Sequence, residues 1–384
     1  MKLLFNKFLK MGIIKKIIKG VLPFAFVKWY CKENENLFLK DLKQSQSSLV
    51  DFESYGKCKF QKIVSVQGFG FSGSGAVIDM LREYPKIKVL AYVDKVEDCG
   101  GYVPQNEKLS EIDLIRLSGG LFEIEKFLDS DNVFVNDALL HRTARLFGCS
   151  SLYRMIKEVR PIMRSFFSQI SSFRLEKLHD VYYNGHIVFP AEIPDIYFLK
   201  KMSKEHYINL CRKFLIAIFN LFSQDGKEYL VADQLFSDFE MDIDRNIQYV
   251  PGLKTILVVR DPRDTYVYAV TRNVEWMEHT TVDRFIEWYK IMYHNISPTF
   301  KHKNSLVVRY EDLVYDYDNQ ESLINNYLGL TEDQHKLRQQ YFRPAFSSRF
   351  VGMYKKMENL KDDISIIEKE LTDYCNPIID KYVE

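Results

Sequence analysis

The sequence predicts an α/β fold, a three-layer parallel sheet that carries a P-loop-like phosphate-binding loop and a helical insertion. Three observations carry that expectation. Short β-rich runs recur between stretches of helical character, and strands alternating with helices pair in parallel. The first run ends in a glycine- and serine-rich turn that opens a helix. A later one ends in the string Arg260-Asp261-Pro262-Arg263-Asp264.

The 384 residues open on a lysine-rich arm, residues 1–56. From Met1 to Lys32 there are eight lysines, no arginine and no acid. Ile13, Ile14, Ile17 and Ile18 fall on one side of a helical wheel, opposite Lys15, Lys16 and Lys19. Such a two-faced basic helix suits peripheral contact with an anionic membrane surface through residues 1–32. It equally suits a terminal helix docked on the body with its lysines in water. The body behind it is mildly acidic, because Lys plus Arg (53) nearly equals Asp plus Glu (52) over the whole chain. No global basic field points to nucleic acid.

The body, residues 57–384, reads as one α/β domain. Lys62 to Gln67 (KIVSVQ) is a buried strand, and Ala76 to Tyr84 is helical and ends at Pro85. Ile87 to Tyr92 is a second strand. A helical insertion follows at about 105–225, with helix from Leu139 to Leu178, interrupted at Pro161, and again from Lys204 to Ser223. Glu228 to Ala232, Lys254 to Val259 and Ser305 to Arg309 are further strands, and helices fill the intervals and the C-terminal end. Apolar residues at 46% and charged residues at 27% fit a globular protein rather than a disordered one. The six cysteines form no CxxC pair, so reduced thiols are expected and no metal site is. Lysines interrupt every apolar stretch before the ~20 residues a spanning helix needs. The arm's clean stretch, Val21 to Val27, is short for a secretory signal and holds Pro23. A cytoplasmic location is expected.

Chemistry enters at two strand ends. The loop Gly68-Phe69-Gly70-Phe71-Ser72-Gly73-Ser74-Gly75 lies between a strand and a helix. Successive N–H groups there can form a nest for an anion, aided by the helix N-terminus. A tight turn without ligand is the alternative. Gly68 and Gly73 have Walker A spacing, but Ser74-Gly75 stand where Lys-Ser/Thr belongs, and the third glycine of a Rossmann fingerprint is misplaced. In the second anchor, Asp261 can cap the next helix, Pro262 suits its first position and Asp264 complements its dipole. Arg260 has no such local reason. At the end of a parallel strand its fork suits a phosphate, or else a structural ion pair.

These segments, taken in order, resemble the sulfotransferases that use 3′-phosphoadenosine 5′-phosphosulfate (PAPS), with a bacterial carbohydrate-sulfotransferase flavour. The string Val307-Val308-Arg309-Tyr310-Glu311-Asp312-Leu313, followed by Tyr327-Leu328-Gly329-Leu330, is similar to that family's strand and YEDL segment. Ser347 to Lys356 is similar to its GxWK lid. The resemblance implies that Gly70, Phe71, Ser72, Gly73, Ser74, Gly75 and Ala76 hold the 5′-phosphosulfate and that Arg260 holds the 3′-phosphate. Gly352 and Lys355 would belong to the lid. It further implies PAPS as co-substrate, no metal, and in-line transfer to a carbohydrate or lipid-linked glycan acceptor. Phe71 stands where the family commonly has Lys or Arg, Ser74-Gly75 where it has paired threonines, and Tyr268 where it has a phosphate-binding serine. By chain position the general base is Glu97 or Asp94, with His186 and His141 as alternatives. The acids also read as solvated loop residues and the histidines as structural. Tyr266, Trp276, Trp288 and Tyr289 read as sugar platforms or as core. The competing functions are a catalytically weak nucleotide-binding module of the same fold and a P-loop kinase.

Overall fold

Strand Lys254–Val259 shows why this chain builds a sheet covered on both faces. Its side chains alternate, so Ile256 and Val258 enter one apolar cluster and Leu257 and Val259 enter another. A strand buried on both faces is continuously apolar, the mark of a parallel sheet under helices. The computed structural model describes residues 37–42, 50–91, 111–173, 182–183, 186–187, 197–236, 242–274, 277, 279, 281–294, 296 and 298–383. Residues 1–36 of the lysine-rich arm, Asp94, Glu97 and Trp276 lie outside them.

The described chain divides into two compact units, one from residues 1–50 and 123–202, the other from residues 51–122 and 203–384. The second unit holds five strands: β1 (Lys62–Gln67), β2 (Ile87–Leu90), β3 (Tyr229–Asp233), β4 (Lys254–Val259) and β5 (Ser305–Arg309). All pair in parallel, in the order β2-β3-β1-β4-β5. One face is covered by α1 (Ser74–Arg82) with the helices that follow β5, through Val77, Leu81, Leu313, Ile324 and Leu328. The other is covered by helices α3 (Pro262–Arg272), α4 (Val282–Tyr293) and α7 (Lys361–Glu370), through Val267, Phe285, Tyr289 and Ile367. Helices α5 (Tyr310–Tyr315) and α6 (Tyr317–Leu328) lie between them in the chain. The α/β architecture expected from the sequence is therefore present.

The connections place the site. From β1 the chain runs to β2 and β3 on one side, whereas from β4 it runs to β5 on the other. The direction reverses between neighbouring strands β1 and β4, and ligands of open α/β sheets bind outside the strand ends at such a reversal. The residues that follow those two strands are Gly68 onward and Arg260.

Helix α2 (Lys204–Leu221), which the sequence groups with the insertion, packs within the sheet-bearing unit. The other unit contains helices Val133–Cys149, Ser151–Met155 and Val159–Ile170 and two short antiparallel pairs. Phe38 anchors its core, with ring centroids 4.9 Å from Tyr153 and 5.4 Å from Phe167. Pro161 sits in the first turn of its helix, where no intrahelical N–H is needed, and the break falls before it at residues 156–158. That helix ends at Ile170, short of the expected Leu178, and the chain becomes extended at Ser171–Phe173.

Candidate functional site

The loop between β1 and α1 is shaped by two aromatic side chains from elsewhere in the unit. Gly70 has φ +47, and a Cβ there would lie 2.5 Å from the Trp288 ring. Gly73 has φ +88, and its Cβ would lie 2.3 Å from Tyr310. Both glycines are therefore demanded by conformation and by packing. Gly75 differs, since a Cβ there would meet nothing within 4 Å.

Helix α1 begins on Gly73 without a side-chain cap. The Ala76 N–H turns back to the Gly73 carbonyl at 2.9 Å. The first-turn N–H groups before it have no intrahelical acceptor, so positive potential is left at the loop mouth. Ser72 is 2% exposed and its Oγ has no hydrogen-bond partner. A buried hydroxyl without a partner is costly and calls for a reason.

Arg260 closes the other side. It is 5% exposed. Its Nη1 donates to the Phe71 carbonyl at 3.3 Å and its Nη2 to the Phe350 carbonyl, with Met353 Sδ 3.9 Å away. The guanidinium lies 5.2 Å from the Tyr310 ring centroid and 5.9 Å from that of Tyr268. Its Nε has no partner, and among the described residues no carboxylate stands within ion-pair distance of it. Of the two sequence readings for Arg260, the structural ion pair is the one the geometry does not contain. Its guanidinium donates to neutral carbonyls while Asp264 and Glu311 act on it from beyond ion-pair distance, so an incoming anion would complete its hydrogen bonding.

The backbone around Arg260 is pinned. Tyr289 Oη donates to the Arg260 carbonyl at 2.9 Å, and the Asp261 N–H donates to Glu311 Oε1 at 2.9 Å. Burial raises the Glu311 pKa, and the neighbouring Asp261 carboxylate raises it further. Asp261 accepts from the Arg263 N–H at 2.9 Å, the cap expected of it, and also binds the Arg263 guanidinium. Asp264 does a different job from the helix-dipole role read from the sequence. Fully buried, it accepts the N–H groups of Gly352 (2.7 Å) and Tyr354 (3.2 Å), so it fastens the segment 350–354 beside Arg260. Burial pushes its carboxyl up to about 6, against the pull of Arg260.

The structure therefore brings together Phe71, Ser72, Gly73, Arg260 and Tyr268 with the carbonyl of Phe350. Phe71 is 42% exposed with φ 58, and its ring packs on Tyr268 at 4.5 Å. Lys355 turns elsewhere: its Nζ binds the Val383 carbonyl and Asp380, the latter at 3.2 Å. Gly352 has φ +70 and is packed against Val383. His141 belongs to the other unit, where it pairs with Asp137 at 3.4 Å and packs edge-on to Tyr197. His186 starts a two-residue strand there, paired with Tyr182–Tyr183. Tyr266 and Tyr289 are core, with Tyr266 Oη bonded to Asp363 at 2.7 Å, and Trp288 packs against Phe285 beneath Gly70. Tyr310 is a site residue whose role the sequence left unassigned, although the YEDL string already marked it, and Asp264 is one whose role it read differently. Among the described residues no group of His, Cys, Asp or Glu could hold a metal ion, and no helix is long and apolar enough to cross a membrane.

No family model and no curated protein matches this chain. Among solved structures it is similar to the sulfotransferase domain of the Synechococcus PCC 7002 olefin synthase, at 12% identity and a TM-score of 0.37, covering 78% of this chain and 90% of that one. It is also similar to the sulfotransferase STF9 from Mycobacterium avium, at 9% identity and a TM-score of 0.34, covering 85% of this chain and 84% of that one. At such identities the chemistry has to be argued from this chain's own residues.

Proposed function

We propose that this protein is a sulfotransferase that moves the sulfuryl group of PAPS to a hydroxyl or amine of a carbohydrate or lipid-linked glycan acceptor. The observation that carries the proposal is Arg260, a buried guanidinium without an ion pair, facing an uncapped helix N-terminus across the strand-order reversal. Two separated cationic features suit a ligand with two anionic groups, one for each.

In this reading the α1 first turn and Ser72 Oγ hold the 5′-phosphosulfate, and Arg260 Nε and its Nη groups hold the 3′-phosphate. The acceptor oxygen or nitrogen attacks sulfur as the bond from sulfur to the bridging phosphate oxygen breaks. The acceptor's proton passes to a base, for which Glu97 and Asp94 remain our candidates. The products are a sulfated acceptor and 3′-phosphoadenosine 5′-phosphate (PAP). The chain's contribution is to align the line of attack and to aim donors at charge growing on the leaving oxygen. Phe71 brings no cation to the loop, so that stabilisation falls to the α1 N–H groups and Ser72.

Thermal unfolding with PAP, beside ATP with Mg²⁺, tests the proposal on wild type and on Arg260→Met, which keeps the volume. At 100 times its Kd, PAP adds about 2.7 kcal/mol to wild type, and the mutant loses that gain. An equal gain in the mutant, no gain with PAP, or a gain with ATP and Mg²⁺ alone would overturn the assignment.

A further inference from the structure

His335 is a buried titratable group that the proposed chemistry does not use. Its ring lies between two buried carboxylates, with Glu83 2.6 Å from Nε2 and Glu321 2.5 Å from Nδ1. A neutral imidazole has one N–H and one lone pair, so it can donate to only one of them. The imidazolium donates to both. Without its proton, one of the two contacts becomes a repulsion at hydrogen-bond distance, and the ring has to move. Burial works to remove that proton, and the bonds to both carboxylates outweigh it. Because the pKa is raised in the folded chain, the proton leaves as pH climbs above the ordinary histidine range.

The other groups around the ring are accounted for. Tyr84 stacks on it at 4.2 Å, with Oη bonded to Asn325 at 2.7 Å. Arg338 binds Glu321 at 2.8 Å and also Asp318, and lies 5.0 Å from the Tyr317 ring. Asp79 and Arg82, 3.6 Å apart, lie on the turn of α1 before Glu83. Glu332, Asp333 and Lys336 flank His335 in the chain, all exposed.

What moves with His335 leads to the candidate site. Glu83 is the residue on which α1 ends. Its carboxylate accepts the N–H groups of Gln339 (3.0 Å), Tyr341 (2.9 Å) and Phe342 (2.9 Å), and its carbonyl that of Leu337 (3.2 Å). Gln339 holds φ 61, a strained conformation that these bonds offset. From Phe342 the chain passes through the short helix Pro344–Ser347 to Phe350. There the Ser347 carbonyl accepts from Tyr310 Oη at 3.3 Å, and the Phe350 carbonyl accepts from Arg260. The segment thus starts on the C-terminal end of α1 and ends on the cation that faces its N-terminus.

We propose that His335 is a positioning residue: as imidazolium it fastens 335–342 to Glu83 and so sets 343–350 against Tyr310 and Arg260. Loss of its proton loosens that segment and weakens anion binding at Arg260. As regulation of that site, this rests on the sulfotransferase reading.

The test runs from pH 7.5 to 9.5, where the phosphates of PAP hold a constant charge. Calorimetry reads PAP affinity in wild type, His335→Gln and Glu321→Gln, and hydrogen exchange reads the N–H groups of residues 343–350. In wild type, affinity should fall about tenfold across that range, and protection of 343–350 should fall with it. His335→Gln leaves no cation between the carboxylates, so affinity should be low and flat. Glu321→Gln leaves the ring one carboxylate, which a neutral imidazole can serve, so affinity should be high and flat. A slope kept in either variant, as titration of the buried Glu311 would give, overturns the proposal, and so does a flat wild type. Should His335→Gln not fold, Glu321→Gln and the wild-type exchange still decide, because protection that holds through pH 9.5 refutes the fastening. If PAP binds wild type at no pH, it is the nucleotide reading that has failed, and the exchange result alone then judges the fastening.

Discussion

Gly73 and Gly75 stand two residues apart in one loop, yet their environments predict opposite responses to alanine. In Gly73→Ala the new Cβ falls 2.3 Å from Tyr310 Cδ2 and 2.7 Å from its Cγ, both far inside contact distance. Tyr310 is 6% exposed, and its hydroxyl is bonded to the Ser347 carbonyl, so the ring has little room to retreat. Overpacking of this kind costs about 1–3 kcal/mol. Holding alanine at φ +88 costs about 1–2 kcal/mol more. Restricting the unfolded chain returns only about 0.4–1 kcal/mol. In Gly75→Ala there is neither clash nor positive φ, so that last gain stands alone. At about 1.2 °C per kcal/mol for a chain of this size, Tm should fall by roughly 1–6 °C in the first variant and rise by roughly 0.5–1 °C in the second. Differential scanning calorimetry on the two variants reads this directly. Equal shifts, or a more stable Gly73→Ala, would refute the claim that Tyr310 fixes the loop. A displaced Tyr310 also disturbs the ring beside Arg260, so PAP should bind Gly73→Ala more weakly than Gly75→Ala.

Two further outcomes follow from buried polar groups. Ser72→Ala removes a hydroxyl that has no partner, so ligand-free stability should hold or rise by about 1 kcal/mol while PAP affinity drops roughly tenfold; a Tm loss of many degrees would show that the hydroxyl serves the fold. His335 is clamped between Glu321 (2.5 Å) and Glu83 (2.6 Å), and Glu83 also accepts three backbone N–H groups from residues 339–342. Burial works to lower the His335 pKa, but the bonds to both carboxylates outweigh it and raise it. Its stabilising contribution is therefore complete below about pH 6.5 and fades as pH climbs through the raised value. Wild type should lose Tm on moving from pH 6 toward 9, and His335→Gln should lose that slope along with about 3 kcal/mol; a mutant with an unchanged slope would assign the pH dependence to other groups.

The parts of the fold legible in the sequence were those whose cause is local. Apolar runs rich in β-branched residues, such as Thr255–Val259, declare burial on both faces, and Asp261 and Pro262 announce the start of a helix as its cap and first residue. The glycine loop and Arg260 were legible as a pair because each ends a strand, and parallel strands put their ends on one side. What stayed hidden depends on distant partners. Asp264 looks like a dipole residue until residues 88 and 90 positions further on place their N–H groups on it. Gly73 looks like a phosphate glycine, and only the fold shows that Tyr310 presses on it. The aromatic residues of α4 had two readings in the sequence, and it was burial that put Tyr289 in the core, with its hydroxyl spent on the Arg260 carbonyl.

The same separation sorts the loop residues into those the fold explains and those it does not. Gly70, Gly73, Asp261, Asp264 and Glu311 each satisfy a demand of the folded chain, through a clash avoided or a donor accepted. Arg260, Ser72 and Phe71 do the opposite. They leave, in turn, a buried cation without an ion pair, a buried hydroxyl without a partner and a strained ring half in water. Each is a cost that a neutral replacement would remove, and independent costs scattered by chance would not converge on one strand-order reversal. A single ligand with an anion for Arg260 and an acceptor for Ser72 would offset the first two at once. The nucleotide proposed above, with its two anionic groups, is a ligand of that kind.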